Sequence, residues 1–145
     1  MVKRGSRRET PNALFCDASF LIAYLCPKDQ DHARAIHIRR RLAGCPIRLY
    51  TSWPTVSEAV TLLFYHYGYF YASALLQTLA AFELATPSEG DYYQAAALFQ
   101  EFNRDQKLSF NDCLTYVLIK GPLRNISIVT FDRDFAKMGL TIFRP

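Results

Sequence analysis

Ala13-Leu14-Phe15-Cys16-Asp17-Ala18-Ser19 is the stretch whose reading decides the fold. Its first four residues form a short apolar run of the kind a buried strand carries. An Asp, a small residue and a Ser follow directly. A second apolar set, Leu21-Ile22 with Tyr24-Leu25, then has the spacing of one helix face. Asp17 therefore stands where a strand ends and a helix begins. In an open α/β sheet that edge is where ligands bind.

Outward from this stretch the chain alternates. Strands are expected at about 13–17, 47–50 and 125–130, a weak one at 83–86 and a final one at 140–143. The first helix, 19–25, stops at Pro27. The next, 32–42, is capped by residues 29–31 and ends at Gly44 as a glycine just past a helix end. Thr51-Ser52 caps a third helix, with Pro54 in its first turn, Glu58 also placed in that turn, and an end at Gly68. Ala72, Leu75, Leu76, Leu79 and Phe82 line one face of a fourth. Pro87-Ser88 opens a helix over 89–103. Ser109 with Asp112 has capping-box spacing and starts the next. Strands alternating with helices imply an α/β fold, a three-layer α/β/α sandwich around a mainly parallel sheet of five strands.

The 145 residues suit one domain, expected over 13–145 behind a basic tail at 1–12. Half of the chain is hydrophobic and 21% is charged, the mix of a soluble globular protein rather than a disordered one. No apolar run reaches the roughly 18 residues of a membrane helix, and no long apolar segment follows the basic start, so neither a membrane span nor a secretory signal is expected. The formal charge of +4 permits a polyanionic partner without requiring one. Cys16, Cys26, Cys45 and Cys113 form no C-x-x-C pair. They read as reduced thiols of a cytoplasmic protein rather than a zinc or redox site.

Asp17 and Asp132 each follow a strand, and Glu58 and Asp112 each lie early in a helix. With the two strands adjacent, all four carboxylates can share one crevice. Two unit charges about 5 Å apart repel by roughly 3 kcal/mol at an effective dielectric of 20. Such a cluster therefore needs protons or cations. Only oxygen ligands are on offer, which favours Mg²⁺ or Mn²⁺ over zinc. Taken singly, Glu58 and Asp112 read as plain helix-terminus carboxylates. Asp17 instead closes a buried strand, where an ionisable group is costly unless paired. Asp132 is similar, with Asp134 as the alternative functional member of that pair. Ser19 and Thr130 are hydroxyls suited to hydrogen-bond the acids, and Asn111 is grouped with them.

The segments Phe15-Cys16-Asp17-Ala18-Ser19, Val56-Ser57-Glu58, Leu108-Ser109-Phe110-Asn111-Asp112 and Val129-Thr130-Phe131-Asp132-Arg133-Asp134-Phe135 resemble the signature blocks of PIN domains, and among them the VapC-like toxin ribonucleases. The resemblance runs from Ala13 to the end of the chain. It implies a sheet of order 3-2-1-4-5, a Mg²⁺- or Mn²⁺-dependent endoribonuclease and a cognate antitoxin. Asp17, Glu58, Asp112 and Asp132 would be its metal-binding acids, with Asp134 a weaker candidate. A PIN-fold module that binds RNA or protein without cutting, or a housekeeping nuclease with no antitoxin, is the rival reading.

Other chemistries fit less well. Ser19 has no His positioned to activate it, and His32, His37 and His66 form neither a triad nor an i, i+4 metal pair. An aspartate-nucleophile phosphatase wants a second Asp where Ser19 stands. The stretch Tyr65-His66-Tyr67-Gly68-Tyr69-Phe70-Tyr71 is unusually aromatic. At helical spacing it reads first as core, otherwise as a subunit interface or a base-stacking surface. Together with Leu75, Leu79 and Phe82 it leads us to expect a homodimer.

Overall fold

Leu14, Phe15 and Cys16 have no solvent exposure in the computed structural model, which describes residues 11–145. They form β1, Ala13–Cys16. Because side chains alternate across a strand, Leu14 and Cys16 enter one hydrophobic cluster and Phe15 the other. The elements that follow are α1 (Ala18–Leu25), α2 (His32–Leu42), β2 (Arg48–Ser52), α3 (Trp53–Tyr67), α4 (Tyr69–Gln77), β3 (Glu83–Ala85), α5 (Glu89–Phe102), α6 (Phe110–Lys120), β4 (Ser127–Val129) and α7 (Asp134–Lys137). Helices α1 to α4 cover the Leu14 face and α5 to α7 the Phe15 face, giving the three expected layers. Of the expected basic tail, 1–12, all but the last two residues lie outside the described residues.

All strand pairings are parallel, in the order β3-β2-β1-β4. The chain builds outward from β1 to β3, then returns to place β4 on the other side of β1. The order reverses between β1 and β4, the switch point at which a crevice opens beyond the strand ends.

The sheet has four strands, not the five expected. The segment 140–143 adds a single parallel bridge, Ile142 to Ile128, outside β4. Two hydrogen bonds make it: Ile128 N to Thr141 O at 2.9 Å and Phe143 N to Ile128 O at 2.8 Å. β4 is itself three residues long. Arg124 and Asn125 hold left-handed φ angles before it, and Thr130 leaves it to bond Asp17. Little ladder remains for a fifth strand, although the bridge occupies its place in the order.

Two boundaries also differ. β2 runs on through Thr51 and Ser52, which pair with Leu84 and Ala85 of β3. Ser52 thus closes a strand and still caps α3, its side chain accepting from Thr55 N at 3.2 Å. With α3 starting at Trp53, Glu58 lies in the second turn rather than the first. α4 ends at Gln77, so Leu79 and Phe82 lie beyond it.

The aromatic stretch divides. Tyr67 and Tyr71 pack against the core, whereas Tyr65, Tyr69 and Phe70 are 79%, 73% and 76% exposed. The break is at Gly68, whose φ of +98° lets α4 fold back on α3. Leu75, expected on the same outer face, is buried in the core.

Candidate active site

Asp17 caps α1 at the end of β1 and is 5% exposed. Its Oδ2 accepts from Thr130 Oγ1 at 2.9 Å and from Ser19 Oγ at 3.0 Å. Thr130 Oγ1 in turn accepts from Asp132 N at 3.0 Å, and Ser19 Oγ accepts from Phe131 N at 3.0 Å. Both hydroxyls therefore tie the loop after β4 to the carboxylate after β1. Burial pushes the Asp17 carboxyl above its usual range. The bonds from Thr130 and Ser19 oppose that rise, and the charge of Glu58 adds to it.

The second pair of acids comes from opposite layers. Glu58 on α3 accepts from Asn111 Nδ2 of α6 at 2.8 Å, and Asn111 Nδ2 also lies 3.3 Å from Thr55 Oγ1. Asp112 closes a capping box, its Oδ2 accepting from Ser109 N at 3.0 Å while Ser109 Oγ accepts from Asp112 N at 3.0 Å. Asp112 thus closes the capping box and also lines the acidic crevice. Burial raises the pKa of both acids. Asn111 opposes the rise at Glu58, and Ser109 opposes it at Asp112. The charge of Asp132 reaches both.

Asp17, Glu58, Asp112 and Asp132 line one crevice of about 340 Å³. Ser19 lies on its wall, and Thr130 and Asn111 each hydrogen-bond one of its acids. Asp134 is not brought in. It opens α7, its N donates to Asp132 Oδ1 at 2.9 Å, and its side chain meets Lys137 at 3.4 Å.

Asp29, Gln30 and Asp31 also line the crevice. The sequence marked them only as a helix start. Asp31 does sit at the N-cap of α2, but its side chain makes no capping bond and pairs with Arg34 at 2.9 Å instead. Asp29 and Asp31, two acids within four residues of the Pro27 stop, were the signal available.

Among the described residues, no Lys, Arg or His lines this crevice. Among the described residues, no three His, Cys, Asp or Glu side chains are drawn together into a ready-made metal cage. The hydrogen bonds instead take one oxygen of each acid: Asp17 Oδ2, Glu58 Oε2, Asp112 Oδ2 and Asp132 Oδ1. The other oxygen of each has no protein donor among the described hydrogen bonds. Asn111 Oδ1, beside them, is buried with no partner among the described residues. This donor set, all oxygen and net negative, fits a hard hydrated divalent cation. It does not fit zinc's usual Cys and His ligands. The four cysteines are free. Cys16, Cys26 and Cys113 are buried, and burial pushes the Cys16 thiol up to about 12.

The family model described as PIN domain matches residues 14–140. The crystal structure of Mycobacterium tuberculosis VapC20, a sarcin-ricin loop cleaving toxin, aligns with a TM-score of 0.80. The two chains share 24% sequence identity, and the alignment covers 91% of this chain and 99% of that one, a likeness of fold. No curated protein sequence matches the chain.

Proposed function

This chain belongs to the PIN domain family, and from that premise we propose that it is a metal-dependent endoribonuclease that hydrolyses RNA phosphodiester bonds as the toxin of a toxin–antitoxin pair. The observation that carries the reading is the crevice itself. Asp17, Glu58, Asp112 and Asp132, brought from four separate places in the chain, line it together with Asp29 and Asp31, and among the described residues no Lys, Arg or His does. Buried like charges are costly, and a module that only bound RNA would be better served by the opposite sign.

Mg²⁺ or Mn²⁺ held by Asp17, Glu58, Asp112 and Asp132 would supply Lewis acidity toward the phosphate and toward water. The remaining work belongs to the chain. Thr130 and Ser19 keep Asp17 turned to the crevice, Asn111 holds Glu58, and Ser109 holds Asp112. The backbone N–H of Asp134 steadies Asp132. Each acid thereby offers one oxygen in a fixed direction, so little ordering is left for the moment of reaction.

The experiment is cleavage of a labelled RNA, beginning with a sarcin-ricin loop hairpin. Scission is expected with Mg²⁺ or Mn²⁺ and none in excess EDTA. Equal cutting in EDTA would overturn the metal reading.

Two partners complete the proposal. An antitoxin would place an Arg or Lys among the carboxylates. A second copy of the chain would cover the corner between α3 and α4, where Phe64, Tyr65, Tyr69, Phe70 and Leu76 are all exposed. Patches of that kind usually mark association sites. Sedimentation at micromolar concentration is expected to give a dimer for the parent and a monomer for the Tyr65→Glu, Phe70→Glu double variant. A parent that stays monomeric throughout that range ends the dimer proposal and leaves the crevice untouched.

A further inference from the structure

A second cavity, of about 720 Å³, adjoins the acidic crevice. The two share Phe131 and Asp132 as a common wall. Its size is that of a site for a small organic ligand, roughly 300–1,000 Å³. Its lining has the opposite character to the crevice. Arg34 and His37 come from α2, Arg133 from the loop after β4, and Arg144 from the segment beyond the Ile142 bridge. Phe131 and Phe143 add two half-buried rings, both anchored in the core.

One contact organises it. The Arg34 guanidinium lies 4.7 Å from the centroid of the Phe131 ring and is held there by Asp31 at 2.9 Å. A flat cation stacked on a fixed ring, at the edge of an open cavity, is a surface for another planar group. Arg144 lines the same cavity and carries a further positive charge. Planar stacking beside several Arg groups matches a nucleotide, base and phosphate together. An acidic peptide would use the charges and leave the rings idle.

We propose that this cavity binds the nucleotide next to the scissile phosphate of a single-stranded RNA segment, with the base on the Arg34–Phe131 stack and its phosphate at Arg144. The proposal rests on the nuclease reading of the adjoining crevice. A strand crossing from one cavity to the other passes over Phe131 and Asp132. The cationic side then grips the backbone while the acidic side holds the bond to be cut. Sequence preference next to the cut would arise here, since phosphate contacts position a strand and base contacts specify it.

The test measures binding apart from cutting. A fluorescent single-stranded RNA of about eight nucleotides is titrated by anisotropy, in EDTA, into protein carrying Asp17→Asn. Adding Arg34→Gln or Arg144→Gln is expected to weaken binding about tenfold. Arg144→Gln is also expected to reduce the slope of log affinity against log salt by about 1. Arg34→Lys, which keeps the charge and loses the plane, is expected to recover only part of the loss. Lys120→Gln, outside the cavity, is expected to change nothing. In protein with Asp17 intact, the Arg variants are expected to raise KM and spare kcat.

Unchanged RNA affinity in both Arg variants overturns the proposal. So does a result in which they lose only a labelled polyglutamate peptide. The nuclease reading fails separately. If the parent never cuts RNA while Arg34→Gln still weakens RNA binding, the cavity assignment stands and the crevice assignment falls. If the parent cuts with divalent cations and the Arg variants bind as it does, the reverse holds.

Discussion

Asp17→Asn is expected to lower RNA cleavage roughly 10³-fold while the protein stays folded. On the proposed metal reading, removing one of four anionic ligands would forfeit several kcal/mol of charge stabilisation, and about 1.4 kcal/mol corresponds to each factor of ten. Asn keeps the shape of Asp and an oxygen that can accept from Thr130 and Ser19. The loss therefore reports charge rather than collapse. Asp112→Asn is expected to behave alike at higher structural cost, because its carboxylate also closes the capping box of α6. Cleavage by Asp17→Asn at the parent rate would show that the crevice is not where RNA is cut.

The same variant has a signature in stability. Burial raises the Asp17 carboxyl above its ordinary range, so the native state holds its proton more tightly than the unfolded chain does. Stability from this group is complete below the ordinary carboxylate range and is lost as pH rises through the elevated native value. At neutral pH, without divalent cation, the ionised Asp17 is then a cost that Asn lacks. Asp17→Asn is expected to raise Tm by about 2–4 °C at pH 7, with the gap closing on acidification. Thermal scans at several pH values measure it. A lower Tm at pH 7 would mean that the ionised carboxylate stabilises the fold.

How far this site could be read ahead of the structure depends on the range of each interaction. The positions of Asp17 and Asp132 just past strand ends were legible because a strand running into an acid is a local pattern. The Ser109 and Asp112 capping box was legible for the same reason, and α2 fell at its expected bounds, His32–Leu42. Glu58 was assigned one turn too early because Ser52 serves as both strand end and cap, a doubling that only the pairing with β3 reveals. The fifth strand was expected from its apolar pattern, yet pairing depends on what β4 leaves free. Helical spacing could not say that Tyr65 and Phe70 face outward while Leu75 faces in, since Gly68 resets the phase between α3 and α4. Least legible was Arg34 on Phe131, which joins α2 to the loop after β4. No local pattern connects them.

Asn111 leads to the second large effect. Its Nδ2 donates to Glu58, the one acid of the four that sits in the second turn of its helix and projects from the opposite layer. Turning the amide round would set Asn111 Oδ1 against the Glu58 carboxylate, two acceptors facing each other, so the donating orientation is the one the chemistry allows. That leaves Oδ1 buried with no partner among the described residues, at a cost of about 1–3 kcal/mol if nothing else meets it. Asn111→Ala removes the orphan acceptor but also leaves the Glu58 carboxylate without its donor, two opposing effects of similar size, so stability is expected to stay near the parent value. Its expected effect falls on the metal requirement. With Glu58 no longer held, the Mg²⁺ concentration for half-maximal cleavage rises about 10–100-fold, the usual range for losing a group that orients a ligand. The rate at saturating Mg²⁺ is largely recovered. Titrating Mg²⁺ against cleavage for parent and variant separates the two quantities. An unchanged Mg²⁺ requirement would assign Asn111 to packing between α3 and α6 alone, and would remove Glu58 from the acids whose orientation cleavage depends on.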